Sequence, residues 1–211
     1  MPDDLAPYDT PQHRDETAVA GMWLFLASEV LLFGGLFLVV LVYSHTRKAG
    51  WIMGVRHTNL TIGSINTLLL LTSSGVYTLA VVAAREKGRT RCIIAPALTA
   101  AGLGVAFLGL KSWEWHLEFN EHLFPGAGFS ISGPDAGGAQ LFYSFYFLST
   151  ALHGLHMLVG IGLILWVCYC TARRRGLPVP VIPVEVVGLY WSFVDLVWIL
   201  LFPVLYLIGR V

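Results

Sequence analysis

Apolar residues along this chain do not alternate with polar ones, and they are not confined to every third or fourth position. They run in five long blocks. A helix that crosses a hydrocarbon core of about 30 Å needs about 20 mostly apolar residues. Blocks at roughly 19–43, 60–84, 92–113, 140–171 and 186–209 meet that length. The fourth is long enough to tilt or to project from the bilayer. The pattern predicts an all-α fold: a polar tail over 1–18, then one membrane domain of five transmembrane helices over 19–211. The tail carries Asp3, Asp4, Asp9, Asp15 and Glu16. It lacks the basic stretch and small-residue cleavage site of a secretory leader, so the first block is expected to be an uncleaved anchor.

Composition agrees with the blocks. Of 211 residues, 56% are apolar and 12% are charged. Soluble domains carry about 25% charged residues. The same figures exclude a disordered chain. Thirteen basic and 13 acidic residues cancel, and no basic stripe interleaves with aromatics, so a nucleic-acid partner is not expected.

The distribution of basic residues predicts orientation, because cytoplasmic loops are enriched in Lys and Arg. Arg14, Arg85, Lys87, Arg89, Arg91, Arg173, Arg174 and Arg175 share one side. Arg47, Lys48, Arg56 and Arg210 share the other, and Lys111 sits near the end of a block. The N-terminus is therefore expected in the cytoplasm and the C-terminus outside. Cys92, Cys168 and Cys170 then lie near the reducing side and are expected to be free, packing as small apolar groups. The connection at roughly 116–139 is the long external one. It holds Glu118, Glu121, His122 and Asp135 but no Lys or Arg.

Ionisable groups at membrane depth are costly and point to function. Glu29, His153, His156 and Asp195 all fall near the midplane, where packed helices would bring them together. His153 and His156, three apart, are expected to share a helix face. Gly154, Gly160 and Gly162 allow close approach of a neighbouring helix. Trp191 and Asp195, four apart, share a face of the fifth span. The group reads either as polar pairing that holds the bundle in register, or as a proton relay, a lipid headgroup site or a cofactor site. Two intramembrane histidines on one helix are too few for two bis-histidine haems, and a copper centre needs further ligands.

Other polar residues read more simply. Glu114, His116, Glu118, Glu121 and His122 can be drawn as a metal site, but their spacing matches no specific signature and a solvated acidic loop is the commoner arrangement. Asn66, Thr72, Ser73 and Ser74 are expected to bond between helices or back to their own helix. Lys111 and Glu114, at the external end of the third span, are expected to form a surface ion pair worth about 0–1 kcal/mol. Trp51, Trp113, Trp115, Tyr43 and Tyr190 near span ends suggest an interfacial belt.

Five segments in order resemble subunit III of the haem-copper oxidases, the cytochrome c oxidase type. Gly21-Met-Trp-Leu-Phe-Leu-Ala-Ser-Glu29 resembles the family's "F-x-x-S-E" helix. Asn66-Thr-Leu-Leu-Leu-Leu-Thr-Ser-Ser74 looks like "N-T-x-L-L-x-S-S". Lys111-Ser-Trp-Glu-Trp115 resembles the "E-aromatic" end of the next helix. His153-Gly-Leu-His-Met-Leu-Val-Gly160 carries "H-G-L-H-x-x-x-G". Glu185 to Asp195, with Leu-Tyr-Trp-Ser-Phe-Val-Asp inside it, looks like "E-x-x-x-x-Y-W-x-F-V-D-x-V-W". Many family members have seven spans, the first two splayed to form a lipid-filled cleft. This chain matches the five-helix part and resembles the short bacterial form.

The resemblance implies an accessory subunit, without a redox centre of its own, of a proton-pumping terminal oxidase in the bacterial inner membrane. Such a subunit packs with catalytic subunit I and subunit II, which hold the haem and copper. It supports proton uptake and protects the catalytic centre from turnover-linked inactivation. The resemblance further implies cytochrome c or a similar carrier as donor to the complex, and bound phospholipid. By match, Glu29 is the intramembrane carboxylate near lipid and the catalytic subunit. His153, His156, Trp191, Asp195 and Asn66 form the polar interior. A related subunit of a nitric oxide reductase is the close alternative. A small proton-coupled transporter and a haem b cytochrome are more distant ones.

Overall fold

The computed structural model describes residues 10–86, 89–126, 128–174, 179–208 and 210. Six α-helices follow in order: α1 (Pro11–Thr46), α2 (Lys48–His57), α3 (Leu60–Arg85), α4 (Thr90–Asn120), α5 (Ala136–Arg173) and α6 (Val181–Phe202). A wide turn over Pro203–Leu207 follows α6, in which Ile208 N–H donates to the Pro203 carbonyl at 2.9 Å. No strand occurs among the described residues. All helices but α2 are long and apolar enough to cross a membrane, α6 together with its wide turn. The five spans alternate in direction. One end of the bundle gathers Arg85, Arg89, Arg91, Arg173 and Arg174, and the other gathers α2, the long connection and the wide turn. Lys87 and Arg175, with Asp3, Asp4 and Asp9 of the tail, lie outside the described residues.

Helix ends depart from the apolar blocks where capping overrides hydropathy. Thr10 caps α1 by accepting from the His13 N–H at 3.1 Å, and Pro11 occupies the first turn. A proline there lacks only an N–H that would be orphaned anyway. Residues 11–18 are therefore helix rather than loose tail. At the other end of the bundle α4 continues to Asn120, so the connection shortens to residues 121–135.

Helix α2 has no counterpart among the apolar blocks. Its seat on α5 requires glycine. A Cβ on Gly50 would lie 2.5 Å from the Asp135 carbonyl oxygen and 2.6 Å from Gly138 Cα, which are backbone atoms that cannot swing away. A Cβ on Gly54 would lie 2.4 Å from the Phe142 ring. Gly50 and Gly54 form a small-x-x-x-small pair, a packing signal of membrane helices. Between them, Trp51 stands perpendicular to Phe142 with ring centroids 5.1 Å apart. Arg210 closes this corner, donating to the Val55 carbonyl at 2.9 Å and to the Thr58 carbonyl. A cation at a helix C-terminus complements its dipole.

The bundle centres on α5 and on one tryptophan. Trp191 of α6 is fully buried. A Cβ on Gly104 of α4 would fall 2.7 Å from its indole, and one on Gly160 of α5 would fall 2.8 Å from it. The indole N–H donates to Ser73 Oγ of α3 at 3.0 Å, and Ser73 in turn donates to the Ala100 carbonyl of α4 at 3.0 Å. Trp191 thus joins α3, α4, α5 and α6. Of the three glycines near the histidines, Gly160 is tight, Gly154 meets only an ordinary contact, and Gly162 faces open space.

Helix α1 is the least embedded span. Leu26, Phe33 and Val40 are its buried apolar residues, seven apart, so one narrow seam holds it. The aromatic belt is only partly as expected. Trp113 and Tyr43 are exposed, and Trp115 is half-buried and donates to Thr150 Oγ1 at 3.3 Å. Trp51 and Tyr190 are core residues instead: Trp51 packs on Phe142 and Phe145 of α5, and Tyr190 on Phe25 of α1. The three cysteines are free, as expected, and all lie near the arginine end.

Candidate functional site

The four intramembrane groups do not form one cluster. Glu29 and His156 meet: Glu29 Oε2 lies 3.0 Å from His156 Nε2, linking α1 to α5. His156 Nδ1 lies 2.8 Å from the Leu152 carbonyl, so the geometry makes Nδ1 a donor. The Phe33 ring stands edge-on to the imidazole at 5.3 Å, and Tyr190 O–H donates to the His156 carbonyl at 3.0 Å. Pairing of this kind is what makes ionisable groups tolerable in a low-dielectric medium.

His153 is turned away from this pair. A three-residue step places two side chains about 60° apart around a helix. That angle sends His156 to α1 and His153 into the core. His153 is buried between Phe107 at 5.4 Å and Trp198 at 5.2 Å, and neither ring nitrogen has a hydrogen-bond partner. Asp195 is likewise buried; it faces the Ser74 side chain of α3, and neither carboxylate oxygen makes a hydrogen bond of good geometry. Asn66 departs further from expectation: it is completely buried and neither polar atom of its side-chain amide has a hydrogen-bond partner. Thr72 bonds back to the Leu68 carbonyl, and Ser73 bonds between helices, as expected.

The largest correction concerns Lys111 and Glu114. They do pair, Nζ to Oε2 at 2.9 Å, but the pair is inside the protein, with relative exposures of 5% and 1%. Lys111 Nζ also donates to Tyr146 Oη of α5 and to Tyr206 Oη of the wide turn, each at 2.7 Å. Tyr206 O–H lies 2.8 Å and 2.9 Å from the two Glu114 oxygens. The ammonium is 4.3 Å from the Tyr146 ring centroid. Glu118, one turn on, is buried beside this group rather than solvated in a loop. Lys111, Glu114 and Glu118, with Phe107 before them, recur at steps of four, three and four on one face of α4. That spacing was legible in the sequence. Nothing near Tyr146 or Tyr206 marks them as partners.

This network can hold three elements in register. It cannot hold a metal, because its centre is an ammonium group. Among the described residues no three His, Cys, Asp or Glu side chains stand close enough to bind an ion, the set Glu114, His116, Glu118, Glu121 and His122 included. His153 is enclosed by two aromatic rings, and both nitrogens of His156 are engaged in hydrogen bonds.

Comparison with known proteins adds to this geometry. Residues 12–210 match the family described as cytochrome c oxidase subunit III. The chain is 28% identical over 211 residues to a "Probable quinol oxidase subunit 3" of Staphylococcus haemolyticus, covering 100% of this chain and 98% of that one. It is 29% identical over 213 residues to a protein of the same name from Staphylococcus aureus strain USA300, with the same coverage.

Proposed function

The chain belongs to the cytochrome c oxidase subunit III family, and on that premise we propose that it is the accessory third subunit of a bacterial quinol oxidase. Membership implies a complex with the catalytic subunits of a haem-copper oxidase. Full-length similarity to proteins named quinol oxidase subunit 3 carries the choice of donor: a membrane quinol takes the place of the cytochrome c first expected. Haem and copper are held by the partner subunits, and this chain supplies no redox ligand. Its N-terminus lies in the cytoplasm, and the membrane is the bacterial inner membrane. The concentration of arginine at one end of the bundle supports that orientation.

The Glu29–His156 pair is the functional centre of this reading. It lies half-buried on the seam between the peripheral α1 and the bundle, with side-chain exposures of 14% and 13%. There it meets lipid and the catalytic subunit and steadies proton uptake by that subunit. Removing the carboxylate in Glu29→Ala leaves His156 Nε2 without its partner, a loss of about 1–3 kcal/mol. The expected result is an oxidase with unchanged haem content and initial rate that completes fewer turnovers before inactivation. Loss of haem from that variant would refute the assignment.

The subunit reading itself is tested by purifying the tagged chain in mild detergent. It should bring with it a large multi-span protein carrying haem and copper, with quinol oxidase activity. Recovery of the chain alone, active in moving protons after reconstitution, would establish the transporter reading instead.

A further inference from the structure

One buried tyrosine is bonded unlike the others. Tyr206 is fully enclosed, on the wide turn after α6. Its hydroxyl donates to Glu114, lying 2.8 Å and 2.9 Å from the two carboxylate oxygens, and accepts from Lys111 Nζ at 2.7 Å. Tyr77 and Tyr190 donate to backbone carbonyls instead, and Trp191 and Trp198 donate to hydroxyls. Tyr143 O–H has no partner.

The difference is chemical. A phenol gives up an electron readily when its proton leaves with it, because an oxidised phenol that keeps its proton is a very strong acid. A carbonyl or hydroxyl is too weak a base to hold that proton. A carboxylate within about 2.6–3.2 Å of it is a competent acceptor. Lys111 already points at the same phenol oxygen. Its charge-assisted hydrogen bond remains after the proton has moved and steadies the oxygen left behind.

A run of rings leads from Tyr206 to the flank of the bundle. Trp51 lines an apolar groove of about 320 Å³ between α1, α2 and α5. The Phe142 ring lies 5.1 Å from Trp51, the Tyr146 ring 6.2 Å from Phe142, and the Tyr206 ring 6.5 Å from Tyr146. Trp and Tyr are the side chains of this run that release an electron, and Phe142 bridges them.

We infer that Tyr206 is a one-electron oxidation site, which stores as a neutral phenoxyl radical the oxidising equivalent of a peroxyl radical that reaches the groove at Trp51. The peroxyl radical takes an electron from Trp51 and a proton from interfacial water, and becomes a hydroperoxide. Trp51 regains its electron from Tyr206 through Phe142 and Tyr146. The phenol O–H bond breaks as that electron leaves, and its proton passes to Glu114. The inference goes beyond the subunit reading and rests on it for the oxygen chemistry that supplies such radicals.

The test uses the intact oxidase in nanodiscs, oxidised and without quinol so that it does not turn over, with a lipid-soluble azo initiator as the peroxyl source. Frozen samples are read by electron paramagnetic resonance, and ring-deuterated tyrosine marks tyrosyl signals by their narrowing. Wild type should show a tyrosyl component that Tyr206→Phe abolishes. Trp51→Phe leaves every hydrogen bond of Tyr206 in place and should lower that component several-fold. A spectrum unchanged in Tyr206→Phe would overturn the inference, as would a yield unchanged in Trp51→Phe or the absence of a tyrosyl signal from wild type. If Tyr206→Phe does not assemble, Trp51→Phe decides. Haem that co-purifies with the wild-type chain reports separately on the subunit reading, and its absence would refute that reading and not this one.

Discussion

Lys111→Met is expected to destabilise the subunit by about 3–5 kcal/mol, because it leaves a buried carboxylate without its cation. A surface pair would cost about 0–1 kcal/mol when broken, and burial decides between the two. Glu114 is 1% exposed, so water cannot replace the lost ammonium. Tyr206 O–H can still donate to it, but a single neutral donor does not balance a charge. The wide turn and α5 also lose their common anchor, since Tyr206 and Tyr146 both accept from Lys111. The thermal midpoint of the purified oxidase should fall, with this subunit dissociating first. Lys111→Met combined with Glu114→Gln removes both charges and should recover much of the loss. A single variant as stable as wild type would show that the pair contributes nothing, and the double variant then has nothing to recover.

Trp191→Ala is expected to cost about as much, roughly 3–5 kcal/mol, by leaving a cavity where four helices meet. Glycines at 104 and 160 give the indole its space, so no neighbouring side chain stands ready to fill it. The Ser73 hydroxyl also loses its indole donor. Trp191→Phe keeps part of the ring and loses only the hydrogen bond and some volume, so it should fall between alanine and wild type. Differential scanning calorimetry of the assembled complex gives the order. Equal destabilisation by Phe and Ala would show that the hydrogen bond, rather than the packed volume, dominates.

The five spans were legible because a bilayer reads length and hydropathy, both properties of contiguous sequence. The histidine motif and the two carboxylates stood out for a related reason: ionisable groups are rare at that depth. Helix ends were less so. Thr10 with Pro11 starts α1 eight residues before its apolar block, and capping is a local signal that hydropathy does not register. Helix α2 is short and mixed in composition, yet its glycine pair at 50 and 54 carried a packing signal. The inward face of α4 was likewise visible in the spacing of Lys111, Glu114 and Glu118.

What the sequence determined by itself is the number of spans, their alternating directions and the depth of each polar group. Those follow from chain order and the rise per residue of a helix. Only the tertiary structure decided which polar groups meet. Rotation about a helix axis depends on which neighbours surround it, and every face of an apolar span looks alike in composition. That rotation gave His156 to Glu29 and enclosed His153 in aromatic rings. It turned the Lys111 pair inward onto two tyrosines from distant parts of the chain. It left Asn66 and Asp195 in separate places.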